Sequence, residues 1–218
     1  MGTVRLSPHF KGDRLPERSK DERILSEALM TGCDPETTEP VAPEVYLQII
    51  DRVQEYNTQL VQTVARVFAC RLQAFLLVRQ GATPHISYGE GCLWHWGKQP
   101  RYGCEVSMLI DGVFPHDLKE GIPLPMVEAV TNCTRSECDY LFDQAEHADD
   151  SSIMTMTHGY HQRRCIRTAH QVASNRNSSV SYQVVQPKRV AFKALDSCSE
   201  LPSVQFASDV ICRAEPAF

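Results

Sequence analysis

Between Pro43 and Gln80 the chain returns an apolar side chain to the same side of a helix on nearly every turn, and this stretch limits the fold more than any other. Ile49, Ile50, Val53, Leu60, Val64, Phe68, Leu72 and Leu76 carry the pattern. It predicts an amphipathic helix over about 43–80, opened by proline in its first turn and closed by Gly81. Asn57-Thr58 is a weak point where one helix can become two. The spacing is not a strict a/d heptad, so the stripe is expected to face an intramolecular core rather than a coiled-coil partner.

Ahead of this stretch, Ser19 and Glu22 form a capping box, Ile24, Leu25, Ala28 and Leu29 an apolar stripe, and Gly32 a stop. Residues 1–18 lack periodicity and read as an arm, and Asp34 to Pro43, with three prolines, reads as a linker. The expected organisation is residues 1–42 as N-terminal arm, short helix and linker, followed by 43–218 as a single α+β domain with a basic C-terminal third.

Beyond Gly81 the texture changes. His85 to Tyr88, Cys92 to Trp96 and the alternating Glu105 to Ile110 read as strands, with Asp111-Gly112 as a hairpin turn. Met126 to Val130 and Ser136 to His147 read as small helices, the second with Asp139 completing a capping box on Ser136. Ile153 to Thr157, Val180 to Gln186, Arg189 to Leu195 and Val204 to Ile211 read as strands because β-branched residues alternate or cluster in them. The predicted fold class is therefore α+β: one long amphipathic helix (about 43–80) packed on a mostly antiparallel β region, with small helices inserted over about 124–147.

Nine cysteines are an odd number, and Met1 to Lys20 contains no apolar core of a signal peptide. Leu6 stands where a myristoylation signal requires Ser or Thr, and the longest apolar run, Phe68 to Val78, is cut by Arg71. The expectation is a soluble intracellular protein, cytoplasmic or nuclear, away from membranes. Its thiols are then reduced, and the sequons at Asn132 and Asn177 are unmodified.

The net charge of −5 hides a sharp polarity. Residues 105–150 hold eleven acids and two bases, whereas residues 151–195 hold seven bases and no acid. One reading is that the two blocks form solvated faces that neutralise each other; the other is an anion-binding face.

A phosphate-binding glycine loop, HExxH, G-x-S-x-G and C-x-x-C are all missing from the sequence, which favours a non-enzymatic role. Three constellations remain. Cys133, Cys138, His161 and Cys165, with His158 and His170 in reserve, are the residue types zinc takes in a tetrahedral site; the alternative is two ordinary buried thiols beside solvated histidines. Cys92, in a glycine- and tryptophan-rich segment, is the candidate nucleophile of a cysteine-dependent hydrolase, with His158, His161 or His170 as base and Asn175 as its orienting partner. The alternative for Cys92 is an aromatic strand packed on the long helix. Finally, Tyr160, Arg163, Arg164, Arg167, Arg176, Lys188 and Arg189 form a candidate anion-binding set, since arginine forks grip phosphates and a tyrosine ring stacks on bases. The preferred reading is a non-enzymatic binding or assembly protein whose basic C-terminal third contacts RNA, DNA or an acidic protein surface. The alternatives are a structural subunit of an oligomer, particle or large complex, and the Cys92 hydrolase.

Overall fold

The computed structural model describes residues 19–90, 92–96, 99–124, 126–130, 133–157 and 159–214. Helix α1 spans Lys20–Thr31, and the expected capping box is present: the Ser19 hydroxyl accepts from the Glu22 amide at 3.2 Å, while the Glu22 carboxylate accepts from the Ser19 amide at 3.0 Å. Gly32 ends the helix in the left-handed region, φ 67°. A Cβ there would also sit 2.8 Å from the Val113 methyl carbons, so glycine serves both the turn and the close approach of a later helix.

The stripe from 43 to 80 is two helices rather than one. Helix α2 (Pro43–Gln54) begins with proline at its first turn, and α3 (Thr58–Arg79) begins with Asn57 as N-cap, its side chain accepting from the Leu60 amide at 3.3 Å. The corner is held against α1 by Tyr56, whose hydroxyl donates to the Glu22 carbonyl at 2.9 Å. An asparagine that caps a new helix better than it continues an old one explains the break. Gly81, φ 81°, follows the C-cap of α3.

Helix α3 is long and apolar enough to cross a membrane, but 83% of its most apolar stretch is buried inside the fold. It packs against α2, α4 (Gly103–Val113), α7 (Pro187–Cys198) and α8 (Pro202–Ala214). At the centre the Phe68 ring lies 5.3 Å from Phe114, 6.2 Å from Phe206 and 6.3 Å from Tyr46. The Tyr46 hydroxyl donates to the Leu29 carbonyl at 2.7 Å, tying α2 to α1.

The same core contains a buried ion pair. Arg71 of α3 is 3% exposed and grips the Asp111 carboxylate of α4 through both Nε and Nη2. Lys119 Nζ donates to the Asp111 carbonyl at 2.6 Å. Burial lowers the Lys119 pKa, and burial together with Asp111 raises that of the neighbouring Tyr88 well above its usual value.

The β structure is small. Strand β1 (Ser87–Glu90) pairs in parallel with β4 (Met126–Val130), β2 (Cys92–Trp96) pairs antiparallel with β3 (Gln99–Tyr102), and β5 (Ser152–Met156) pairs in parallel with β6 (Ser181–Val185). The remaining helices are α5 (Thr134–His147) and α6 (Gly159–Arg176). Eight α-helices and six short strands among the described residues overturn the predicted long helix on a mostly antiparallel β region.

The individual corrections share one cause. Glu105 to Ile110 belongs to α4, with Asp111-Gly112 inside that helix instead of at a hairpin turn: Ser107, Ile110, Asp111 and Phe114 are buried at helical spacing. Arg189 to Leu195 and Val204 to Ile211 lie in α7 and α8, where Val190, Ala191, Ala194 and Cys198, then Val204, Ala207, Ser208 and Ile211, form the buried faces. In each segment the period of burial overrides the β-branched content, because β propensity reflects packing on a surface more than backbone preference. Met126 to Val130 errs the other way: pairing with β1 makes it a strand. Helix α5 starts two residues earlier than expected, with Cys133 and Ser136 as its capping box.

Around β5 and β6 the chain forms a local sandwich. Ile153 and Tyr182 pack with α5 and α6 in a second core cluster containing Phe142, Ala169 and Val172; the Phe142 and Tyr182 rings stack at 6.2 Å. Met156 and Val185 join the main core with α3 and α7. Because residues of opposite parity on a strand point to opposite faces, α6 and α7 cover opposite faces of this strand pair.

Candidate anion-binding surface

The two parallel strands β5 and β6 each run directly into a helix. The Thr157 amide donates to the Val185 carbonyl at 3.2 Å, and a Cβ at Gly159 would lie 3.7 Å from Gln186 Nε2, so the starts of α6 and α7 are neighbours at the carboxyl end of the pair. Neither helix has an acid in its first turn. Their dipoles therefore add partial positive charge that no carboxylate in that turn cancels.

Side chains increase that field. Arg163, Arg164 and Arg167 are exposed on α6, Arg189 and Lys193 are exposed on α7, and Lys188 is half-buried there. Among the described residues these six make no side-chain hydrogen bond or ion pair. Arg176 differs: its Nη2 donates to Asp143 and, at 3.0 Å, to Glu146 of α5. Both hydrogen bonds raise the Arg176 pKa, and the Arg176 bond is the first cause of the lowered Glu146 pKa. Of the seven bases between 151 and 195, only Arg176 answers the acidic block, among the described residues. Tyr160 lies in the first turn of α6, and its side chain is outside the described residues.

The metal candidates are brought together in part. Cys138 of α5 and Cys165 of α6 are buried near Tyr182, whereas Cys133 is the exposed N-cap of α5 and His161 is half-buried on α6. Burial, then the neighbouring Cys165 and Glu137, push the Cys138 thiol up to about 12, so it stays protonated at neutral pH. His170 is exposed on α6, and His158 lies outside the described residues. Among the described residues no three His, Cys, Asp or Glu side chains converge in a way that would hold a metal ion.

For the hydrolase reading, Cys92 is in β2 and its side chain lies outside the described residues. His161 and Asn175 occupy one helix fourteen positions apart, about 21 Å along its axis at 1.5 Å per residue. The structure does not bring His161 and Asn175 together as base and orienting partner; His170 is five positions from Asn175 on the same helix, and His158 lies outside the described residues.

A separate groove of about 490 Å³ opens between the end of α1 and the start of α8, lined mainly by apolar groups including Tyr46, Val41, Val113, Pro115 and Phe206. No charged side chain lines it, so it offers nothing to an anion.

The sequence reading missed Phe192 and Ile166, which are 57% and 39% exposed. Each follows an arginine by three positions and precedes a cation by one: Arg163, Ile166 and Arg167 on α6; Arg189, Phe192 and Lys193 on α7. The signal was present as spacing, but it acquires meaning only once both segments are helices, where residues three and four apart share a face.

Compared with protein-family models, curated proteins and solved structures, the chain matches none.

Proposed function

We propose that this is a non-enzymatic binding or assembly protein whose basic C-terminal third contacts an anionic partner, RNA, DNA or an acidic protein surface. The observation that carries the reading is the set of six cations on two helices that start side by side, none of which has a partner among the described residues. Cations that serve the fold are answered within it, as Arg71 and Arg176 are. Unanswered cations of one sign create a local field that attracts anions even on a chain of net negative charge.

The test is the salt dependence of binding to polyanions. Affinity for a single-stranded oligonucleotide should fall linearly on a log–log plot, with a slope of about −0.7 per phosphate contact. Combined Arg163→Gln, Arg164→Gln and Arg167→Gln should flatten the slope. Salt-sensitive binding that the triple replacement leaves untouched would move the contact surface elsewhere, and failure to bind any polyanion at low salt would overturn the reading.

A further inference from the structure

We infer that the anionic partner is single-stranded nucleic acid, with its phosphates on the cations of α6 and α7 and a base stacked on the Phe192 ring. This rests on the anion-binding reading above and names the chemistry of the partner.

Phe192 is the aromatic member of the exposed large hydrophobics among the described residues. Helix α7 has a buried face made by Val190, Ala191 and Ala194, so the core is complete without this ring. The ring is exposed to water, and on its side of the helix Lys188 and Arg189 lie one turn before it and Asp196, the acid of this helix, one turn after, while Lys193 follows it directly in sequence. Charge alone would meet an acidic protein surface, and such a surface could also pack apolar groups on the ring. A nucleic acid strand presents phosphates and aromatic faces together, and ssDNA- and ssRNA-binding sites combine a basic track with rings on which bases stack.

The fold also favours one strand over two. The cation–apolar–cation faces belong to helices that cover opposite faces of the β5–β6 pair and start side by side. Reaching both requires a ligand that bends around the end of two strands. A duplex with a persistence length of about 50 nm resists such bending and keeps its bases inside the stack, whereas a single strand does neither.

The experiment measures binding of three probes to the full chain at several salt concentrations: a short oligothymidylate, an abasic oligodeoxyribonucleotide of equal length, and polyglutamate. Oligothymidylate should bind most tightly. Phe192→Ala should weaken it roughly tenfold, within the range expected for loss of one stacked base, and leave abasic binding unchanged. The salt slope should also stay the same, because no phosphate contact is lost. Phe192→Trp should keep the preference for bases, and Phe192→Leu, which retains apolar bulk without a π face, should lose it. Thermal melting of the three variants checks that the half-exposed site tolerates them. Equal binding of oligothymidylate and the abasic strand, or a preference that survives Phe192→Ala, overturns the stacking inference while the anion-binding reading stands. Polyglutamate bound as tightly as oligothymidylate points instead to an acidic protein surface. Binding to none of the three defeats the anion-binding reading itself.

Discussion

Helices α3 and α6 both carry arginines, and they use them in opposite ways. Arg71 of α3 is enclosed in the main core and answered at short range by Asp111, with Lys119 and Tyr88 completing a polar island among apolar side chains. Arg163, Arg164 and Arg167 of α6 point outward and are answered by nothing among the described residues. The difference teaches which charges hold the fold and which are available to a partner. A buried cation must be paired or it destabilises the protein, while an exposed one is already solvated and costs the fold almost nothing.

The sharpest way to break the comparison is to remove the answer to Arg71. Asp111→Leu should destabilise the protein by about 3–5 kcal/mol, as expected when one partner of a buried ion pair is left alone. Denaturant unfolding would read it. Adding Arg71→Met to the same chain should restore most of the loss, because a buried pair replaced by apolar groups is close to neutral. An unchanged midpoint for Asp111→Leu alone would mean the pair does not lock α3 to α4.

Arg176 lies between the two extremes, since it is on α6 and yet answered by α5. Its hydrogen bond to Glu146, followed by that from Ser178, holds the Glu146 carboxyl below the usual carboxylate range. A depressed folded-state pKa stabilises the protein fully above the ordinary carboxylate pKa and loses that contribution as pH falls through the lowered value. Arg176→Gln should therefore melt slightly below the native chain near neutral pH, and the gap should close in acid. A gap of constant size down to acid pH would assign the effect to packing of the arginine stem instead.

The smallest effect is expected at the outward arginines. Replacing Arg163, Arg164 and Arg167 each with Gln should change unfolding free energy by no more than about 0.5 kcal/mol per site, the usual size for surface positions. A larger loss, seen in the same denaturant titration, would return these residues to the fold and remove them from the anion-binding surface.

Local chemistry determined the helix ends that could be read directly. Ser19 and Glu22, Gly32, Pro43, Asn57 and Gly81 act through backbone groups a few residues away, so their meaning travels with the sequence. Pro187 and Pro202 carried the same helix-start signal as Pro43, and the β-branched residues that follow them drew the reading toward strands. Charge was equally legible: the acid-free stretch from 151 to 195 is a property of composition.

Tertiary structure alone decided the rest. Met126 to Val130 is a strand because β1 lies alongside it, and an isolated pentapeptide of that composition has no means of choosing. Asp111 finds Arg71 across forty residues and Arg176 finds Asp143 across thirty-three, separations at which no local rule operates. Folding withdraws those two arginines from a partner's reach and leaves Arg163, Arg164, Arg167, Arg189 and Phe192 on the outside. The sequence determines how many cations the C-terminal third contains, and the packing of α5, α6 and α7 determines which of them remain free, because pairing depends on distance in space and not along the chain.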